Sequence, residues 1–446
     1  MAARRRTFRH GVHPPELKEL TEAEKIRRLP FPDEIVLPLS QHTGKPAIPL
    51  VKAGDSVERG DKIAEADGFI SSPVHASASG TVKAIELWPH PDGTYKQAIR
   101  IAVDPYSAQA PRPRIVPHWE GLSPKEIVKA VQDGGVVGLG GAAFPTHVKL
   151  SPPDDAEIDT IIINGCECEP YLTTDHHIMS EYPERVHLGV RIMMHTLGVD
   201  RAMIGIEKNK PDAIEAIRAT LPSDIDVTVH PLTVKYPQGA EKMLIEALLH
   251  REVPSGKLPM NVGVVVQNVG SCAAIAEIFE TGLPLIERIV TVTGLGVERP
   301  GNFIVPVGTK VGELIEECGG LTEDAHEIVF GGPMMGAPQA SLDVPILKGV
   351  TGVVVLSKDE TKPKESYPCI RCGHCLDACP VFLNPQLLGQ MALAGLYQET
   401  VDAHIWDCML CGCCSYVCPS NIPLSQLFQV TRSQLRRLQA KESAAA

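Results

Sequence analysis

Two stretches near the end of the chain decide how it is read: 369-CIRCGHCLDACP-380 and 408-CMLCGCCSYVCP-419. Each is a C-x-x-C-x-x-C-x-x-x-C-P run. Three thiolates at this spacing wrap one face of a [4Fe–4S] cubane while the chain turns, and the fourth, before proline, points away to the other cluster. The pattern therefore assigns Cys369, Cys372, Cys375 and Cys418 to one cluster, and Cys408, Cys411, Cys414 and Cys379 to a second. Zinc sites use paired C-x-x-C knuckles instead, and two complete repeats argue against that alternative. Cys413 breaks the register and is read as a non-ligand. Nine of the 13 cysteines fall between Cys369 and Cys418, a distribution of metal ligands and not of disulfides.

At 446 residues the whole chain has room for about three domains, each able to bury its own core. A hydrophobic content of 43% and a charged content of 22% are those of a globular protein. The net charge of −12 and an aromatic content of 4% argue against nucleic-acid binding. Arg4, Arg5 and Arg6 form a short basic cluster, read as solvated. No stretch approaches the roughly 20 apolar residues of a membrane span. Thr7-Phe8-Arg9-His10 follows where a signal peptide needs an apolar run, so the chain is expected to stay in the cytoplasm.

Residues 36 to 103 show short strands punctuated by Gly-Asp turns, and "VKAGDSVERGDKIAEADGFISSPVHASASGTV" resembles a biotinyl/lipoyl-type sandwich. A carrier domain presents a lysine at its hairpin tip, whereas Asp67-Gly68-Phe69 stands there, so the module is read as a docking or covering element. Beyond Pro111 and Pro113, apolar strand candidates (160–164, 202–207, 226–231, 262–269) alternate with helix candidates (183–197, 211–221, 239–250, 271–281). That alternation implies an α/β domain with a largely parallel sheet. Strands at 289–293 and 303–306 and a helix at 311–318 mark a smaller unit, and the spacer 385–406 reads as one long helical stretch. His176 and His177 are read as solvated loop residues, and Cys272 and Cys318 as small core residues. Cys166 and Cys168 carry no assignment.

The string Gly138-Leu139-Gly140-Gly141-Ala142-Ala143-Phe144-Pro145 matches a dinucleotide fingerprint only superficially. Pro145, Pro152 and Pro153 interrupt the helix that should follow. Glycines here still let backbone N–H groups approach a phosphate or flat ring, although a turn without chemical consequence is equally consistent.

The ordered strings "GVHPPELK", "GLGGAAFPTHVKL", "INGCECEPY", "KYPQGAEKML" and "VQNVGS", with the double cysteine motif, resemble the RnfC subunit family of Rnf electron-transport complexes over essentially the whole chain. The middle is also similar to the FMN- and NADH-binding subunit of respiratory complex I, and "VTGLGVERPGNFIVPVGT" to its β-grasp module. The resemblance implies an N-terminal barrel-sandwich hybrid (1–112), a Rossmann-like α/β FMN/NADH domain (113–287), a β-grasp module (288–360) and a C-terminal α-helical double-cluster ferredoxin domain (361–446). It implies a non-covalent FMN cradled by Gly138, Gly140, Gly141, Ala142 and Ala143, with Lys149 close by and Phe144 on the nicotinamide side. Asn164 and Glu167 match flavin contacts and Glu169 a dinucleotide contact. Gly239, Glu241 and Lys242 would sit over the flavin or its NADH partner, and Asn268 near the phosphate or ribityl chain. Relative to the complex I pattern, Leu139 replaces an arginine, Ala143 a glycine, Cys166 an aspartate and Ala240 a glutamate.

The expected activity follows from the cofactors. NADH delivers two electrons as hydride, each cubane takes one, and a flavin converts between them. The chain would be a peripheral oxidoreductase subunit on the cytoplasmic side of the inner membrane. Membrane subunits and a ferredoxin-facing iron–sulfur subunit would be its partners, with a first cluster near the edge of the flavin. The alternative is a flavin-free iron–sulfur adaptor that only relays electrons.

Overall fold

The computed structural model describes residues 6–445 apart from 116, 117 and 154, and for 443–445 the backbone alone. Arg4 and Arg5 lie outside the described residues, and Arg6 is exposed.

The first unit holds β1 (Ile26–Arg28), β2 (Glu34–Pro38), β3 (Ile48–Pro49), β4 (Ser56–Val57), β5 (Lys62–Glu65), β6 (Val74–His75), β7 (Gly80–Pro89) and β8 (Tyr95–Val103). Strands β2-β8-β7-β4 form one sheet and β3-β5-β6 another. Asp92-Gly93 turns the β7–β8 hairpin, with Gly93 at φ +80° and the Asp92 carboxylate accepting the Thr94 N–H. Ile35, Leu37, Ile63, Ile99 and Ile101 fill the space between the sheets. Strand β1 leaves this unit and pairs elsewhere.

In the second unit, α1 (Pro124–Asp133) starts at a Ser123 capping box with Glu126, and α2 (Thr146–Lys149) is a single turn. There follow β9 (Thr160–Gly165), α3 (Thr174–Glu181), α4 (Pro183–Leu197), β10 (Arg201–Glu207), α5 (Pro211–Ala219), β11 (Asp226–Leu232), α6 (Glu241–Leu249), β12 (Val264–Asn268) and α7 (Val269–Thr281). The strands are all parallel, in the order β11-β10-β9-β12. The uninterrupted apolar runs of β9 and β12 are those of strands buried on both faces. Pro183 opens α4 and Gly198, in the left-handed region, closes it, so its bounds match the sequence reading.

Helix α3 overturns the reading of His176 and His177 as solvated loop residues. Both are buried. His176 Nε2 bonds Asp212 of α5 at 2.8 Å. His177 bonds Glu181 at 2.9 Å and the Thr21 carbonyl at 3.0 Å. The helix is polar in sequence because distant partners, and not an apolar stripe, hold it in place.

The third unit contains β13 (Glu287–Thr293), β14 (Gly301–Pro306), α8 (Val311–Glu317), β15 (Ala325–Phe330), β16 (Ala337–Gln339) and β17 (Gly352–Ser357). Its own strands order as β14-β13-β17-β15-β16, and β1 adds to the β14 edge. The N-terminal strap thus covers an edge that would otherwise be open to pairing.

The last unit is helical: α9 (His374–Ala378), α10 (Pro385–Leu393), α11 (Glu399–Asp402), α12 (Cys413–Tyr416) and α13 (Leu424–Ala445). The spacer is not one long helix. Gly395 at φ +72° ends α10's run, and His404 at φ +62° leads into a 3₁₀ turn at Ile405–Asp407. The breaks fold Leu388 and Ile405 onto Leu424, Phe428 and Leu435 of α13.

Candidate functional site

In the parallel sheet the strand order reverses between β9 and β12, and the crevice expected at the carboxyl ends of strands at such a reversal is the usual ligand position. Asn164 and Asn268 are register partners at that point. Asn164 Nδ2 donates to the Gly239 carbonyl at 2.8 Å, and its Oδ1 accepts the Cys166 N–H at 3.1 Å. Asn268 caps α7 by accepting the Gly270 N–H at 2.8 Å and donates to Asp175 at 2.6 Å. Asn164 therefore pins the loops at Cys166 and Gly239, and Asn268 ties the start of α7 to α3.

The glycine-rich loop closes on itself through Gly138 N–H to Phe144 O (2.8 Å) and Ala143 N–H to Gly138 O (3.1 Å). It lies over the first turn of α7, where the Leu139 N–H donates to Ser271 Oγ at 2.9 Å. A Cβ on Gly140 would stand 3.3 Å from Asn268, while Gly141, at φ +102°, faces open space. Gly140, Gly141 and Ala142 are exposed, with Ala143 and Phe144 half-buried. Lys149 Nζ reaches the Val266 carbonyl at 3.0 Å and Glu241 at 3.3 Å. Glu241 opens α6, and Lys242 beside it is half-buried.

Two buried lysines shape the Cys166–Leu172 loop through its carbonyls. Lys210 donates to Cys166 O at 2.7 Å; Lys18, from the N-terminal strap, donates to Glu167 O at 3.0 Å and Glu169 O at 2.9 Å. Burial, together with the charge of Lys210, pulls the Lys18 ammonium below its ordinary value. Glu167, at φ +50°, turns its carboxylate onto the Asp175 and His176 N–H groups at 2.6 and 3.2 Å, and so caps α3. Burial raises the Asp175 carboxyl to about 7, with Glu167 pushing the same way.

Glu169 does not share the company of these groups. Its carboxylate accepts the Met334 N–H of the third unit at 3.0 Å and the Tyr236 hydroxyl at 3.4 Å, and burial raises it to about 7. The Tyr236 hydroxyl also donates to the Cys411 carbonyl at 2.9 Å. Tyr236 stands in the "KYPQ" string yet had no separate role in the sequence reading.

The cysteines fall into two groups. Burial pushes the Cys375 thiol up, and Cys372, Cys418 and Cys369 beside it push the same way. Burial raises Cys408 to about 11, beside Cys411 and Cys379; Cys414 is raised by burial among Cys408, Cys411 and Cys379. These four line a cavity of about 20 Å³ under Phe428. Cys413 also borders it, and packs with Val12, Tyr236 and Ala378. The group built on the second motif adjoins the crevice unit, whereas Cys369 and Cys372 are exposed. Cys272 and Cys318 are buried core residues, as read from the sequence.

Four family models match the chain: an RnfC barrel-sandwich hybrid domain over 6–105, a Nuo51 FMN-binding domain over 131–277, an SLBB domain over 289–338 and a 4Fe-4S dicluster domain over 365–422. The chain is 45% identical over 399 residues to a subunit of the proton-translocating ferredoxin:NAD+ oxidoreductase complex of Clostridium ljungdahlii, covering 90% of this chain and 87% of that one. It is 41% identical to the corresponding subunit of the Na+-translocating ferredoxin:NAD+ oxidoreductase complex of Acetobacterium woodii, with 90% of each covered. It is also 41% identical to the corresponding subunit of the ion-translocating oxidoreductase complex of Rhodobacter capsulatus, covering 98% of this chain and 84% of that one.

Proposed function

Because the chain belongs to the RnfC family of subunits in ion-translocating ferredoxin:NAD+ oxidoreductase complexes, we propose that it is the NAD(H)-facing electron-transfer subunit of such a complex, and that its crevice and its two cysteine groups form one electron path. It is an oxidoreductase component with FMN, two [4Fe–4S] clusters and NAD(H) as substrate. The Gly138–Ala143 loop and Lys149 would hold the FMN, which would supply the exchange between a two-electron hydride and single electrons.

The chain's own residues prepare that chemistry. The Gly138–Ala143 loop presents backbone without side-chain bulk, and Lys149 supplies an ammonium beside it, a combination suited to a phosphate and a flat ring. Asn164, Gly239 and Asn268 hold the crevice walls, Glu167 fixes the loop after β9, and Glu241 and Lys242 flank the mouth with Phe144. The dinucleotide role of Glu169 rests on the family resemblance alone, since its carboxylate is engaged by Met334 and Tyr236. We assign Cys408, Cys411, Cys414 and Cys379 to an inner cluster, and Cys369, Cys372, Cys375 and Cys418 to an outer one.

The observation that carries the path is the Tyr236–Cys411 hydrogen bond at 2.9 Å, which joins the crevice unit to the inner group. The units at 1–112, 113–287, 288–360 and 361–446 are then a barrel-sandwich cover, a Rossmann-like flavin domain, a β-grasp module and a ferredoxin domain. The strand orders support the second and third. No helix among the described residues is long and apolar enough to cross a membrane. The subunit would be held peripherally at the cytoplasmic face of the inner membrane by membrane subunits and an iron–sulfur subunit that meets ferredoxin.

Anaerobically reconstituted full-length protein tests this reading. It should carry about eight irons, release FMN on acid denaturation, and lose cluster absorbance on addition of NADH. Eight irons without flavin or NADH response would make it the flavin-free adaptor.

A further inference from the structure

Arg288 is buried under the glycine-rich loop, yet it belongs to β13 of the third unit. Its Nε donates to the Val350 carbonyl of its own unit at 3.0 Å, and its terminal nitrogen donates to the Leu139 carbonyl. One planar guanidinium thus ties two modules, a geometry that the single ammonium of a lysine does not reproduce. The neighbouring loop of the third unit makes a second contact. Lys348 Nζ donates to the Gly135 carbonyl at 2.7 Å and to the Pro73 carbonyl at 2.8 Å. A Cβ on Gly349 would stand 2.9 Å from the Ala143 Cβ, too close without displacement of the loop. From the other side Thr43 of the barrel-sandwich donates to the Ala143 and Ala142 carbonyls, each at 3.1 Å.

We propose that the β-grasp module is the template for the flavin-binding loop, with Arg288 as the positioning residue and Gly349 as the surface against which Ala143 rests. The inference rests on the assignment of that loop to FMN. Apart from the Thr43 and Ser271 bonds and the buried Leu139 side chain, the loop is held by its two internal bonds, since its glycines and alanines offer little apolar area. By fixing the Leu139 carbonyl while Ser271 takes the Leu139 N–H, Arg288 sets the plane of the peptides on either side of Leu139. That plane determines where the Gly140 N–H points. The same guanidinium faces the charges of Asp175 and Glu167. Its removal leaves these two carboxyl groups, at the start of α3 and the loop after β9, without their buried cation, which disfavours an anionic ligand and the electron-rich form of a flavin.

The test uses anaerobically reconstituted full-length protein with Arg288→Met, Arg288→Lys and Gly349→Ala. FMN affinity is read by fluorescence quenching, flavin midpoint by redox titration, and the clusters by iron content and EPR. Arg288→Met should weaken FMN about tenfold or more and lower the flavin midpoint. Arg288→Lys should restore the midpoint more fully than the affinity, since it returns charge without the two-carbonyl fork. Gly349→Ala, which alters no charge, should weaken FMN without moving the midpoint. Both cluster signals should persist throughout. Wild-type affinity in both Arg288→Met and Gly349→Ala overturns the proposal, as does loss of irons in parallel with flavin. Should Arg288→Met fail to fold, Gly349→Ala decides alone. A wild-type protein that binds no FMN refutes the flavin assignment instead, and is seen before any variant is made.

Discussion

The two cysteine motifs share one backbone and live in different surroundings. Arg371 and Leu410 both adopt φ +56°, and each donates its N–H to the sulfur two residues before it, Cys369 or Cys408, at 3.4 Å. Gly373 and Gly412 follow at φ +85° and +79°, and each precedes a short helix. Around the first motif Cys369, Ile370, Arg371 and Cys372 are exposed. Around the second, Gly412, Cys413 and Cys414 are buried, with Tyr236 and Met334 of other units against them. The repeat sets the backbone of each motif; the neighbours set which motif is buried against other units and which is exposed, and hence, on the proposed path, which cluster would face the flavin. Direction is therefore a property of packing, invisible in two motifs of equal spacing.

The swapped ligand sets offer the largest way to break this comparison. Cys379→Ala should abolish the inner cluster and leave the outer one, so that about half the iron is lost. Cys418→Ala should do the reverse. EPR of the dithionite-reduced variants separates the signals, and loss of the outer signal in Cys379→Ala would refute the exchange of fourth ligands between motifs. Because the inner cluster lies on the path, Cys379→Ala should also stop NADH from reducing what remains, whereas Cys418→Ala should leave NADH able to reduce the inner cluster.

A smaller effect separates the paired glycines. Alanine at either position carries the left-handed penalty of about 1 kcal/mol. A Cβ on Gly373 meets nothing within 4 Å, whereas one on Gly412 would stand 3.0 Å from the Met334 carbonyl, a backbone atom with little freedom to yield. Gly412→Ala should therefore cost roughly 1–2 kcal/mol more than Gly373→Ala, read as the difference in the temperature at which cluster absorbance is lost anaerobically. Equal losses would mean that the inner motif is not pressed against the β-grasp unit.

The same contrast explains what was legible in the sequence. The cysteine spacing is that of the dicluster family matched over 365–422, and the runs 160–164 and 202–207 report buried strands, because local composition dictates both. That no long helix follows the glycine-rich loop was legible from Pro145, Pro152 and Pro153, and a single turn, α2, stands there. Features decided by remote partners stayed hidden. Helix α3 has no apolar stripe and depends on Glu167, Asp212, Thr21 and Thr291. The spacer's helical composition did not reveal the breaks at Gly395 and His404, which α13 imposes by folding the pieces back. Nothing in the sequence marks Lys18, Lys210, Arg288 and Lys348 as buried, and only tertiary structure shows them gripping carbonyls.

Tyr236 gives the finest test of the partition between crevice and inner cluster. Its ring is fully buried, so Tyr236→Phe preserves packing and removes only the hydroxyl, whose shorter bond is to the Cys411 carbonyl and whose longer one, at 3.4 Å, is to Glu169. Cluster potentials rise with hydrogen bonds to their sulfurs and fall when donors are lost, since the reduced cluster carries more negative charge. This donor reaches a ligand's carbonyl and not its sulfur, so the influence is a weakened dipole. The inner midpoint should fall on the order of tens of millivolts, where 59 mV is a tenfold change for one electron. The outer midpoint should not move, because no side chain of the crevice unit makes this contact with Cys369, Cys372 or Cys375 among the described residues. Redox titration monitored by EPR reads both midpoints in one sample. A shift shared by the two clusters would show that the change spreads through the ferredoxin fold, and that Tyr236 does not distinguish inner from outer.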